Sequence, residues 1–193
     1  MFILCDTSSI LMLLRIAPDM FIDERYECKT IRVVHDEIVR TTKFKVKYPW
    51  MREMRAKVKP MVLNEKQKQT ETAYWETIHA LNNFGTVNNK TGQLIDLSWV
   101  DIGVISHALA LEYKITSGDV NLLQFARQEF KEEFRGSVSP LEMINHWLES
   151  GVIEWDEEKQ RYISAWMGDN EHPQPPKEKK RFRHLAGNKY TGS

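Results

Sequence analysis

Four acidic residues occupy positions from which their side chains can meet in a folded chain. Asp6 and Asp119 each follow a short apolar segment that has the pattern of a buried strand. The carboxyl ends of parallel strands share one edge of a sheet, so these two side chains are predicted to emerge together. Glu37 lies in the first turn after a second predicted strand, and Asp101 lies in the first turn of the helix before the Asp119 strand. All four acids are therefore expected to converge.

A cluster of carboxylates needs protons or cations to neutralise it. Two carboxylates about 5 Å apart repel each other by about 3 kcal/mol at an effective dielectric constant of about 20. Ligand sets made only of oxygen favour Mg²⁺ or Mn²⁺. Such an ion holds a water molecule as a nucleophile and stabilises charge on a phosphate. The pattern therefore predicts a metal site suited to cutting nucleic acid.

Taken singly, each acid also has a structural explanation, because acidic residues at the start of a helix cap it or are simply solvated. Asp101, for example, stands at the third position of a capping box that Ser98 opens. Two assignments have neighbours as alternatives, since Asp36 adjoins Glu37 and Asp96 precedes Asp101.

Strands and helices alternate along the first 150 residues. This alternation predicts an α/β fold, with three layers (α/β/α) around a central parallel sheet and right-handed crossovers. Predicted strands span 2–5, 28–34 and 113–116, and predicted helices span 10–15, 35–41 and 65–83 and begin at Ser98, Asp119 and Ser139. After this domain, residues 151–167 are predicted to form a β-hairpin and residues 168–193 a disordered basic tail.

Two basic segments interrupt an otherwise acidic chain of zero formal net charge. Residues 43–69 form a basic helical insertion with nine Lys or Arg and two Glu, and residues 177–193 contain six Lys or Arg and one Glu. Such segments suit a polyanion, and Tyr48 or Trp50 can stack on bases. The alternative is a solvated helix whose aromatic rings pack on the core. The candidate nucleic-acid-binding residues are Lys43, Lys45, Lys47, Arg52, Arg55, Lys57 and Lys59.

Over about residues 1–150 the sequence resembles the PIN-domain nuclease family. The matching segments are Ile3-Leu4-Cys5-Asp6-Thr7-Ser8, Glu37-Ile38, Ser98-Trp99-Val100-Asp101 and Ser117-Gly118-Asp119-Val120-Asn121-Leu122. The resemblance implies a PIN-like fold in which four acids are catalytic and bind Mg²⁺ or Mn²⁺, namely Asp6, Glu37, Asp101 and Asp119. It also implies polar supporting roles for Thr7, Ser8, Ser117 and Asn121. The insertion after Glu37 is larger than in compact family members.

The resemblance and the basic segments together predict a metal-dependent endoribonuclease that cleaves phosphodiester bonds in single-stranded or structured RNA. Many PIN-domain proteins are toxins of toxin–antitoxin pairs, so an antitoxin or another protein partner is also expected. Two alternative functions stay open: a non-catalytic PIN module that binds nucleic acid or protein, and a DNA nuclease. Assembly of the chain into a homo-oligomer is left open as well.

The remaining sequence features argue against other classes. Cys5 and Cys28 lie in no CxxC or Cys/His pattern, so neither a zinc site nor redox chemistry is predicted. Asp6 interrupts the first apolar stretch and no basic residue precedes it, which argues against an export signal. No apolar run approaches the roughly 20 residues of a membrane helix. A cytoplasmic protein that does not enter the membrane is expected.

Overall fold

The computed structural model describes residues 1–168 and 174–187, which form a mixed α/β structure around a small parallel sheet. Its strands are β1 (Ile3–Cys5), β2 (Cys28–Lys29) and β3 (Lys114–Thr116), in the order β2-β1-β3. Strand β1 is central, since Ile3 lies opposite both Cys28 and Lys114. The predicted α/β class and parallel sheet are confirmed.

Helices make up most of the remaining described structure. They are α1 (Thr7–Leu13), α2 (Arg32–Arg40), α3 (Thr42–Lys47), α4 (Met51–Met54), α5 (Glu65–Phe84), α6 (Trp99–Leu111), α7 (Val120–Glu129), α8 (Pro140–Glu149), α9 (Glu157–Gly168) and α10 (Pro176–Leu185). Two short 3-10 helices lie at Glu24–Tyr26 and Arg55–Lys57. Among the described residues, no helix is both long and apolar enough to span a bilayer.

Helix α1 begins directly where β1 ends, because Asp6 caps it. The Asp6 side chain accepts a hydrogen bond from the Ser9 backbone N–H over 2.7 Å, which satisfies one of the free donors of the first turn. The apolar residues from Ile10 to Leu13 are buried, and α1 contacts both α2 and α8. The cap therefore also fixes where the Asp6 carboxylate lies.

Helix α6 is held in register by its capping box and by close packing. The Ser98 hydroxyl accepts from the Asp101 N–H, and the Asp101 carboxylate accepts from the Ser98 N–H. Further along, a Cβ on Gly103 would lie 3.1 Å from a methyl carbon of Val33, so the glycine lets α6 approach α2 closely. This packing sets the separation of the helices that carry Glu37 and Asp101.

The predicted strand over 28–34 is mostly wrong. Only Cys28 and Lys29 form β2, and α2 begins at Arg32. Val33 and Val34 favour strands locally. However, Val34 and Ile38 are both buried one helical turn apart, so burial of one helix face outweighs the propensity of the valines.

The predicted β-hairpin over 151–167 is also wrong, because helix α9 occupies most of that segment. Asp156 starts this helix by accepting a hydrogen bond from the Lys159 N–H over 2.8 Å. Glu157 and Glu158 follow in the first turn, where their negative charges interact favourably with the positive end of the helix dipole and so stabilise the helix.

The predicted disordered tail contains a packed helix, α10. Phe182 is fully buried and meets the edge of Trp155, with ring centroids 5.0 Å apart. Asn145 of α8 donates hydrogen bonds to the backbone and side chain of Glu178. The prediction of disorder is therefore wrong for 174–187, and its other parts, 169–173 and 188–193, lie outside the described residues.

Candidate functional site

A cavity of about 1070 Å³ lies at the carboxyl ends of β1 and β3. The structure places all four predicted acids on its lining, together with the supporting residues Thr7 and Ser8. Asp36 and Asp96 do not line it. Asp36 instead pairs with Arg32, His35 and Arg40, and its pKa is lowered chiefly by the hydrogen bond with His35.

Asp6 is the most enclosed of the four acids, with 7% of its surface exposed. Ser8 and Ser117 donate to its carboxylate, over 3.0 and 2.5 Å, in addition to the capping bond from Ser9. Burial raises the pKa of Asp6 above its ordinary value, while these hydrogen bonds act in the opposite direction. The site therefore contains a carboxylate whose ionised form is destabilised by burial.

The ends of β1 and β3 are joined by a short polar network. The Ser8 hydroxyl accepts a hydrogen bond from the Gly118 N–H over 3.1 Å, and the Ser117 hydroxyl accepts one from the Asp119 N–H over 2.9 Å. Because Ser8 and Ser117 also hold Asp6, this network fixes Asp6 and the Asp119 backbone relative to each other.

Glu37 reaches the cavity from α2 and accepts a short hydrogen bond from the Thr7 hydroxyl. Asp101 and Asp119 lie at the starts of α6 and α7. Burial raises the pKa of Asp101; its hydrogen bonds with Ser98 lower it, and the negative charge of Asp119 raises it. These two carboxylates are thus close enough to repel each other.

Three of the carboxylates keep one oxygen without a hydrogen-bond partner among the described residues. Glu37 uses only Oε2, Asp101 uses only Oδ2, and Asp119 uses only Oδ1 to accept from the N–H groups of Asn121 and Leu122. Asp6 uses both oxygens. The free oxygens of Glu37, Asp101 and Asp119 are therefore the ones available to a ligand.

The cavity lining also contains cations and aromatic rings. Of the predicted nucleic-acid-binding residues, Lys43 and Lys47 line it. Lys45, Arg52, Arg55, Lys57 and Lys59 do not, and Lys57 pairs with Asp19 over 2.9 Å. The aromatic lining residues are Phe44, Tyr48, Trp50, Tyr162 and Trp166.

Sequence reasoning did not place Arg15, Tyr162 or Trp166 at the site, although all three line the cavity. The guanidinium carbon of Arg15 lies 3.4 Å from the ring centroid of Tyr162 and 5.1 Å from that of Trp50. Tyr162 and Trp166 stand four residues apart, a helical spacing that could have placed both on one face of α9. Asn121, by contrast, is exposed and does not line the cavity; its backbone N–H donates a hydrogen bond to the Asp119 carboxylate, which caps α7.

The donor set has the chemistry of a hard-cation site, since it consists of carboxylate and hydroxyl oxygens. In the part of the chain that the structure describes, no three acidic, histidine or cysteine side chains are grouped closely enough to hold an ion. No protein-family model, curated protein or solved structure matches the chain.

Proposed function

We propose that the chain is a metal-dependent endoribonuclease with a PIN-like three-layer fold. The observation that carries this proposal is that one cavity combines four acids with cations and aromatic rings. Carboxylates suit a divalent cation, cations suit phosphates, and aromatic rings suit unstacked bases. A strand of RNA presents all three kinds of partner at once.

The surroundings of each residue indicate its proposed role in binding the cation or the phosphate. Glu37, Asp101 and Asp119, which have free oxygens, would hold Mg²⁺ or Mn²⁺, and Asp6 would complete the negative field of the site from its enclosed position. When bound, such an ion activates water and stabilises charge on the scissile phosphate. Lys43, which makes no ion pair with another described residue, would bind phosphate next to the acids.

The reaction is the hydrolysis of a phosphodiester. A water oxygen bonds to phosphorus, the bond from phosphorus to one ribose oxygen breaks, and that oxygen leaves with a proton. The water proton passes to a carboxylate of the site or to solvent. No nucleophilic side chain is consumed, so the carboxylates serve to hold the cation, to place charge and to move protons.

A cleavage assay with matched asparagine variants tests the proposal. Full-length protein is incubated with single-stranded RNA in Mn²⁺, and Asp119→Asn and Asp101→Asn are compared with Asp96→Asn. The first two are expected to lower the rate at least about 100-fold, in line with losses at other charge-stabilising groups. Asp96→Asn removes an exposed acid outside the cavity and should cleave at the parent rate. Equal activity in all three variants, or full activity in EDTA, would sink the proposal.

A non-catalytic PIN module is the second candidate, and the cations and aromatic rings of the cavity lining favour it, because they suit nucleic acid whether or not it is cleaved. That function requires salt-sensitive binding of nucleic acid without turnover. Release of cleaved product from RNA, but not from DNA, excludes both this candidate and a DNA nuclease.

A further inference from the structure

Arg15 occupies an unusual position two residues after the end of α1. Its guanidinium lies over the ring of Tyr162 from α9 and near the ring of Trp50, which precedes α4. Contacts between a guanidinium and aromatic faces are favourable and hold its plane in one orientation. Arg15 is half-buried and lines the same cavity as the acids.

Arg15 has hydrogen-bond donors that the other described residues do not use. A guanidinium carries five N–H donors in its plane. With the other described residues, Arg15 makes neither a hydrogen bond nor an ion pair. Contact with rings engages the faces of the group and leaves its edge free. These donors can therefore bind the oxygens of a ligand that enters the cavity.

The shape of that edge selects the ligand. Two parallel N–H donors match two oxygens of a phosphate, whereas a lysine ammonium lacks this geometry. The neighbouring rings of Tyr48 and Trp50 are T-shaped with centroids 6.1 Å apart, and both line the cavity, where they can contact bases on either side of the phosphate. Unpaired bases are required for such contacts.

We propose that Arg15 binds a backbone phosphate of single-stranded nucleic acid through its guanidinium edge, while Trp50 and Tyr162 fix the guanidinium plane. The proposal rests on the nucleic-acid substrate of the proposed function, although not on cleavage. It makes Arg15 a substrate-binding residue and assigns positioning roles to the two rings.

Binding measurements without turnover test this assignment. Full-length Asp119→Asn protein serves as the parent, and its affinity for a fluorescent single-stranded RNA of mixed sequence is measured by anisotropy at several salt concentrations. Adding Arg15→Ala should raise Kd about 10- to 100-fold, as expected for a lost charge-assisted contact. It should also reduce the slope of log Kd against log salt concentration by about 1, the change expected when one phosphate contact is lost.

Conservative variants separate the geometry from the charge. Arg15→Lys should keep the salt slope yet raise Kd, since lysine lacks the planar fork. Tyr162→Phe, which keeps the ring, should bind like the parent, and Tyr162→Leu should weaken binding. Arg161→Ala, which removes an exposed arginine of α9 outside the cavity, should change Kd by no more than a few-fold.

The outcomes also distinguish this proposal from the proposed function. An unchanged Kd and salt slope in Arg15→Ala would overturn the role of Arg15, even if wild-type protein cleaves RNA. Weaker binding in Arg15→Ala and Tyr162→Leu would support the role, even if no variant cleaves. If circular dichroism shows that Arg15→Ala does not fold, Arg15→Lys and Tyr162→Leu test the role of Arg15 instead. Parent-like binding by both variants would then overturn that role.

Discussion

The Ser117 hydroxyl donates a hydrogen bond to the Asp6 carboxylate over 2.5 Å and accepts one from the Asp119 N–H over 2.9 Å. One side chain therefore touches the residues that follow two neighbouring strands. Asp6 and Ser117 are both buried, with 7% and 8% of their surfaces exposed, so water replaces this contact poorly if the hydroxyl is removed.

Ser117→Ala is expected to lower the free energy of unfolding by about 1–3 kcal/mol, because it leaves a buried carboxylate oxygen with fewer donors. Urea unfolding at neutral pH measures the change. The control is Thr77→Ala, which removes an exposed hydroxyl from α5 and should alter stability by no more than about 0.5 kcal/mol. Equal losses in the two variants would contradict a special role for the Ser117 contact.

The stability of the wild type should depend on pH through Asp6. Burial raises the pKa of Asp6 in the folded chain, so between the unfolded pKa of about 4 and the higher folded pKa, the folded state binds more protons than the unfolded state. Its contribution to the free energy of unfolding therefore falls as pH rises through that window and remains unfavourable above it.

Asp6→Asn stays neutral and should lose this decline, so its stability relative to the wild type should increase as pH rises from about 4 towards neutrality. Urea unfolding at a series of pH values, without divalent metal, gives the difference curve. Thr77→Ala, which removes no titratable group, should give a flat difference curve. A flat curve for Asp6→Asn as well would show that burial of Asp6 does not disfavour its charge.

The strand-end acids could be located from sequence because strict local rules place them. The short apolar run of β1 ends just before Asp6, and Asp6 is the N-cap of helix α1. The residue therefore lies at the edge of the sheet and at the start of a helix. The capping box of Ser98 and Asp101 is equally local. Local rules of this kind do not distinguish Glu37 from Asp36; the packing of α2 against α1 and α6 directs Glu37 to the cavity.

The other residues of the cavity depend on contacts that no local pattern reveals. Arg15 contacts Tyr162 across 147 positions of sequence, and the sequence pattern around Tyr162 predicts a hairpin rather than a helix. Asp156 followed by two glutamates is a helix start that favours α9, but the segments 152–155 and 162–166, which flank the polar residues 156–159, favour a hairpin. Burial of Ile163 within the core resolves the conflict in favour of the helix.

Binding of Mn²⁺ should stabilise the folded chain, since an ion would relieve repulsion among the cavity carboxylates. At a concentration about 100-fold above Kd, the gain is about 2.7 kcal/mol. For a chain of this size that corresponds to an increase in Tm of about 5–10 °C, and EDTA should reverse it. Thermal unfolding followed by circular dichroism measures the shift.

Asp101→Asn removes one of the carboxylates with a free oxygen and should reduce the Mn²⁺-induced shift, whereas Asp36→Asn should keep it because Asp36 lies outside the cavity. If the wild type shows no shift at saturating Mn²⁺, or Asp101→Asn shifts as much as Asp36→Asn, the cavity acids do not bind the ion.

Helix α10 should contribute to the stability of the whole chain rather than behave as a loose tail. Phe182 is fully buried against Trp155, so Phe182→Ala is expected to lower the free energy of unfolding by about 3–5 kcal/mol. His184→Ala, on an exposed position of the same helix, should change it by no more than about 0.5 kcal/mol. Chemical unfolding followed by tryptophan fluorescence reports both variants, since Trp155 is at the contact. If Phe182→Ala proves as mild as His184→Ala, α10 does not pack on the core in solution.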